Sequence, residues 1–101
     1  MVALVAALAV LHGLVTLGPT TPVCRVGVPC TKPAARVVLT FTQGTRVVRV
    51  KTDGAGRYRI SLRAGAWAVR ASTGMRIQPA TFRMPVSGSV ARNFAIDTGI
   101  R

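Results

Sequence analysis

Apolar and polar residues alternate with a period of two over most of this chain, most clearly from Arg57 to Val69. Tyr58, Ile60 and Leu62 alternate with Arg57, Arg59, Ser61 and Arg63, which places apolar groups on one face of an extended strand and charge on the other. Gly65 interrupts, and Trp67 and Val69 resume the alternation, so the spacing predicts a half-buried antiparallel hairpin. Read along the whole chain, the pattern predicts seven strands. Leu11–Leu17 is the first, with Leu11, Gly13, Val15 and Leu17 on one face. Ala35–Thr42 follows, with Val37, Leu39 and Phe41 toward the core. Gln43-Gly44 turns into Thr45–Thr52, where Val48 and Val50 point inward and Arg49 and Lys51 outward. Arg57–Leu62, Ala66–Ser72, Thr81–Val86 and Ser89–Asp97 complete the set. In the last of these Arg92 interrupts the face shared by Val90, Phe94 and Ile96. Turns every eight to twelve residues, with ten Gly and six Pro as punctuation, are what a β-sandwich needs. A chain of 101 residues is then one all-β domain, a seven-stranded antiparallel sandwich.

Between the third and fourth strands stands Thr52-Asp53-Gly54-Ala55-Gly56. An Asp heading a tight turn can accept N–H groups from the next two residues, and Gly54 and Gly56 tolerate positive φ. Thr52, Asp53, Gly56, Tyr58, Ile60, Leu62, Gly65, Trp67 and Val69 together form a pattern that resembles the carboxypeptidase regulatory-like domains. These are transthyretin-like β-sandwiches related to the B-type repeats of collagen adhesins. The resemblance covers about eighteen residues and implies a prealbumin-like or immunoglobulin-like sandwich. It also implies a non-catalytic appendage or surface module, because many domains of that group are such.

Residues 1–10 stand apart. From Met1 to Leu11 the sequence is uninterrupted and apolar, of the length of a signal-peptide h-region, and Ala7-Leu8-Ala9 fits a small-x-small cleavage signal, although no Lys or Arg precedes the run. His12, Gly13 and Thr16 end it short of the ~20 residues a membrane span requires. A hydrophobic leader over residues 1–10 and a sandwich over 11–101 are therefore expected. Residues 1–10 as a first strand are the alternative. Cys24 and Cys30, inside a Pro/Gly-rich connection from Gly18 to Pro33, are close enough to close a small ring. An even count beside a leader favours a disulfide in an oxidising compartment, so the chain reads as exported, extracellular or attached to the cell envelope. Two thiols are the alternative. A zinc site would need two more ligands, and His12 is the only histidine.

Charge adds the one functional hint. Fourteen basic residues, twelve of them Arg, oppose Asp53 and Asp97 and give a net charge of +12. If a hairpin closes at Asp53–Gly56, Arg49 and Lys51 lie opposite Arg57 and Arg59 on one outward face, which Arg63 and Arg70 extend. Guanidinium forks across a sheet suit phosphate, sulfate or carboxylate oxygens. Anionic cell-wall polymers and acidic membrane surfaces are the partners such a face implies. Specific nucleic-acid binding is not expected, since Tyr58 and Trp67 face the core and leave no stacking platform outside. The plainer account is that Arg on solvent faces maintains solubility and blocks edge pairing.

Enzyme constellations are absent. The chain has no Glu, one His, and too few carboxylates for calcium. A Ser/His/Asp triad drawn through His12 and Asp97 has no support in local sequence. An isopeptide bond of the adhesin kind would have to join Asn93 to Lys51, or to Lys32 in the loop, with no Glu to promote it and Lys51 directed outward. No cofactor, metal or catalytic residue is implied. Two functions are expected: an exported structural or accessory module that meets a protein partner, or a module binding an anionic surface through Arg49, Lys51, Arg57, Arg59 and Arg63.

Overall fold

The alternation yields ten strands in the computed structural model, which describes residues 8–20, 23, 26–27, 30–74 and 76–99. They are β1 (Leu8–Gly18), β2 (Lys32–Pro33), β3 (Val38–Gln43), β4 (Arg46–Lys51), β5 (Arg57–Arg63), β6 (Gly65–Ala71), β7 (Arg76–Gln78), β8 (Thr81–Met84), β9 (Ser89–Ala91) and β10 (Phe94–Asp97). Among the described residues there is no helix. Each of the seven expected strands has a counterpart. The count rises to ten because β2 and β7 form in segments read as loops, and because the last strand is cut into β9 and β10.

One sheet runs β4-β3-β6-β8, antiparallel throughout. The other is built on β1, whose length lets it pair with four strands. Along one flank lie β5, against Leu8–Leu14, and β2, against Thr16 and Leu17. Along the other lie β9 and β10, and β7 continues outward from β10. The pairings of β1 with β9 and with β10 are parallel, which corrects the expectation of a wholly antiparallel fold.

The two sheets meet across one core. Leu11, Val15, Tyr58, Leu62, Phe94 and Ile96 from the first face Leu39, Phe41, Trp67, Val69 and Phe82 from the second. Phe41 lies 6.4 Å from Tyr58 and 6.2 Å from Phe94, ring centre to ring centre, and Phe82 lies 5.8 Å from Phe94. This is the layer arrangement of a β-sandwich. The inward set Leu39/Phe41, Tyr58/Leu62 and Trp67/Val69 is the one the alternation predicts.

Both expected hairpins of the central stretch are absent. β4 pairs with β3 and β5 with β1, so the Thr52–Gly56 turn carries the chain from one sheet to the other. β6 pairs with β3 and β8, so the Ala64–Gly65 corner carries it back. The first crossing is anchored at both ends. The buried Thr52 hydroxyl accepts from Val37 N–H at 2.8 Å and donates to the Ala34 carbonyl, while the Gly56 carbonyl accepts from Val15 N–H of β1 at 2.7 Å. The second is held by Gln43, whose side-chain amide donates to Ala64 O at 3.1 Å, and by Trp67, whose indole N–H donates to Arg63 O at 2.8 Å. β3 begins at Val38 rather than Ala35, because Arg36 adopts φ 56° in the turn before it.

β1 starts inside the expected leader. Leu8, Ala9 and Val10 register against Arg63, Leu62 and Ser61, and Ala9 is 0% exposed. The domain boundary expected at residue 11 therefore falls within a strand. Residues 1–7 lie outside the described residues. So does the Cys24–Cys30 pairing, because Cys24 is not among them.

Candidate functional site

At the first crossing the two sheets present neighbouring edges, β4 on one and β5 on the other, each paired on one side only among the described residues. Between them opens a cleft of about 520 Å³. Val50 and Lys51 of β4, Asp53 of the turn, Arg57, Tyr58 and Arg59 of β5, and His12, Gly13 and Leu14 of β1 line it.

Local chemistry explains how each residue arrives there. Asp53 stays exposed because its carboxylate organises the turn: Oδ1 accepts from Ala55 N–H at 2.8 Å and Arg57 N–H at 2.9 Å. These are residues two and four positions on, not the next two. Gly56 alone takes positive φ, at 78°, and Gly54 stays outside that region. A Cβ on Gly56 would stand 2.6 Å from Val15 O, so the turn can sit against β1 only with glycine here. The backbone N–H groups of Arg57 and Ala55 hold the Asp53 carboxyl below its ordinary pKa. With the turn fixed, the β5 alternation sends Tyr58 inward and Arg57 and Arg59 outward.

Behind the cleft, Tyr58 donates its hydroxyl to Arg92 O at 2.6 Å, and burial pushes its pKa up. Gly13 leaves room for this carbonyl, since a Cβ there would meet Arg92 O. Asn93 Oδ1 accepts from Leu14 N–H at 2.9 Å, a side chain taking the place of a strand acceptor where β9 gives way to β10. Arg92 points inward over the Phe82 ring, 5.8 Å from its centre, and its Nε is buried with no hydrogen-bond partner. Its inward direction follows from its parity with Val90 and Phe94.

The expected cationic face is thus divided. Lys51, Arg57 and Arg59 converge on the cleft. Arg49 does not join them. It lies on the outer face of the β4-β3-β6-β8 sheet, where Thr40 pairs with it on one side and with Arg70 on the other. Arg63 stands at the far end of β5, beside a smaller hollow shared with Arg46 and Leu8. Arg49 and Lys51 do not face Arg57 and Arg59 in a hairpin, because β4 and β5 belong to different sheets. His12 and Leu14 were missed as lining residues. Their outward parity was readable, but not that β1 would pair with β5.

Three cations against the Asp53 carboxylate leave the cleft a net charge of +2 with His12 neutral. Asp53 Oδ1 is engaged by two backbone N–H groups, and the Arg57 charge also favours the ionised carboxyl, so one carboxylate stands against three cations. His12 and Asp97 do not meet. Asp97 registers against Gly18, six positions beyond His12 on β1, or about 20 Å at ~3.3 Å per residue. The Asp97 carboxylate accepts from Gly99 N–H at 2.9 Å. Among the described residues no cluster of His, Cys, Asp and Glu could hold a metal ion. No protein-family model matches this chain, and no curated protein or solved structure is detectably similar to it.

Proposed function

We propose that the chain is a non-catalytic accessory module of the cell surface, a sandwich of the prealbumin-like, carboxypeptidase regulatory-like kind. It attaches to anionic surface material through the cleft at the β4–β5 crossing. The observation that carries this reading is the convergence of Lys51, Arg57 and Arg59 on one open cleft lined by a single carboxylate, that of Asp53. Each guanidinium fork can hold two oxygens of a phosphate, sulfate or carboxylate group. The motif behind the family resemblance supports a structural use of its residues: Thr52, Asp53, Gly56 and Trp67 are engaged at the two crossings, and Tyr58 ties β5 to the Arg92 carbonyl within its own sheet. Export, and with it the Cys24–Cys30 disulfide, belongs to the same reading.

The test is binding to immobilised polyphosphate over a salt series. Arg57→Gln/Arg59→Gln and Lys51→Gln are compared with Arg70→Gln/Arg83→Gln, which removes the same charge from the other sheet. The double cleft variant should flatten the log–log salt dependence by about two, one for each arginine replaced, and the control should keep it. Equal effects from both pairs would mean that charge is dispersed for solubility and that the cleft is no site.

A further inference from the structure

The outer face of the β1–β5 pair adds apolar surface to the arginines. Along β1, Leu8, Val10, His12 and Leu14 alternate with Ala9, Leu11 and Gly13 and point away from the core; Leu8 is 51% exposed and Leu14 44%. Register fixes what stands beside them on β5. Leu8 pairs with Arg63, Val10 with Ser61, His12 with Arg59 and Leu14 with Arg57. Two rows therefore run side by side about 5 Å apart, one largely apolar and one cationic. The nearest carboxylates sit at the margins. Asp53 is capped by its own turn, and Asp97 registers with Gly18 beyond Leu14 and with Arg76 on its other side.

A soluble polyanion is matched by the arginines alone and gains nothing from exposed leucines. An acidic bilayer uses both, since leucines enter the boundary between headgroups and acyl chains while guanidinium forks hold lipid phosphate. We infer that this face docks on an acidic lipid surface, with Leu8 and Leu14 entering the interface and Arg57, Arg59 and Arg63 on the phosphates. The inference rests on the anion-binding reading and narrows it to one partner.

The experiment is co-sedimentation of the full chain with phosphatidylcholine vesicles, with and without about one third phosphatidylglycerol, at ~150 mM salt. Polyphosphate binding is measured in parallel. Leu8→Ser/Leu14→Ser should lower partition to the acidic vesicles by at least about tenfold, from the apolar area withdrawn, and Leu8→Ser alone, which lies outside the cleft, should lower it while leaving polyphosphate binding within about twofold. Arg57→Gln/Arg59→Gln should lower vesicle partition by about 25-fold, near fivefold per arginine, and weaken polyphosphate binding too. A Leu14→Trp variant supplies an independent reading, because its fluorescence should be quenched by lipids brominated in the acyl chain. Unchanged partition of the leucine pair, or an unquenched Trp in place of Leu14, overturns the lipid inference. If polyphosphate still binds through Arg57 and Arg59, the anion-binding reading survives that result. If neither ligand depends on the arginines, both readings fall.

Discussion

Residues that look like chemistry in this chain are structural when seen in place. Asp53, one of two acids, caps its own turn, and Thr52 beside it ties the end of β4 to Ala34 and Val37 with one buried hydroxyl. Leaving either partner of Thr52 unsatisfied would cost about 1–3 kcal/mol, which explains a polar residue in a place that alternation alone would fill with valine. Tyr58 is the sharpest case. It is the only tyrosine, its hydroxyl donates to Arg92 O at 2.6 Å, and burial raises its pKa. The sign of the linkage follows. The folded chain keeps this proton while the unfolded chain releases it near the ordinary tyrosine value of about 10, so the contribution to stability is complete below that pH and lost as pH rises through the folded value. Absorbance at 295 nm reads this single group directly. Native protein should develop its phenolate signal at higher pH than protein in concentrated urea, which should titrate with a midpoint near 10. Coincident curves would mean that the phenol is solvated. The inward direction of Tyr58 was legible from its alternation with Arg57 and Arg59. Its partner was not, because nothing local connects position 58 to the carbonyl at 92.

Strands were easier to read than their pairings. A tight turn with Asp and Gly has the same local chemistry whether the chain folds back within one sheet or crosses to the other. What decides is whether the turn is held by the sheet it leaves or also by the one it enters. Thr52 and Gly56 do both here, and Gln43 and Trp67 play the corresponding part at the second corner. Apart from Trp67 to Arg63, these bonds join residues fifteen to forty-one positions apart, and period-two patterning is blind to them. The same blindness misplaced the start of β1. An apolar run of alanine, valine and leucine reads equally as a leader or as a strand, and only the neighbours β5 and β9 show that Leu8, Ala9 and Val10 belong to β1. Removing residues 1–10 would take Ala9 from the core, three register positions from β5 and the 2.9 Å bond from Val10 N–H to Gly88 O. At about 0.5–1.5 kcal/mol for each hydrogen bond removed, a polypeptide of residues 11–101 should be less stable than one of residues 8–101 by about 2–4 kcal/mol. In thermal unfolding that is about 10–20 °C in Tm. Equal midpoints would place the folded boundary at residue 11 after all.

At the scale of the whole molecule the charge balance has a consequence for pH as well as for partners. Acid unfolding of most proteins comes from protonating carboxylates that the folded state holds ionised, and this chain has only two carboxylate side chains to protonate. The Asp53 pKa is held down by hydrogen bonds, so its contribution is present above the ordinary aspartate range and is lost as pH falls through the lower, folded value. Protonating both side chains moves the net charge only from +12 to +14, a small addition to the self-repulsion already tolerated at neutral pH. Carboxylate-linked loss of stability should therefore be confined below about pH 4 and be modest, with the part due to Asp53 missing from Asp53→Asn. Urea midpoints measured from pH 7 to pH 2 on both proteins would show this. A steep fall between pH 6 and pH 4 would assign the pH response to some group other than Asp53, and a curve unchanged in Asp53→Asn would remove the case that this carboxylate stabilises its turn. The same scarcity of acids connects stability with binding. The surface offers almost no internal carboxylate to neutralise the arginines, so that neutralisation is left to counterions or to an external anionic surface. If the cleft binds an anionic surface as proposed, added salt should weaken that binding far more than it alters the fold, whose core of Leu11, Phe41, Tyr58, Trp67 and Phe94 carries no charge.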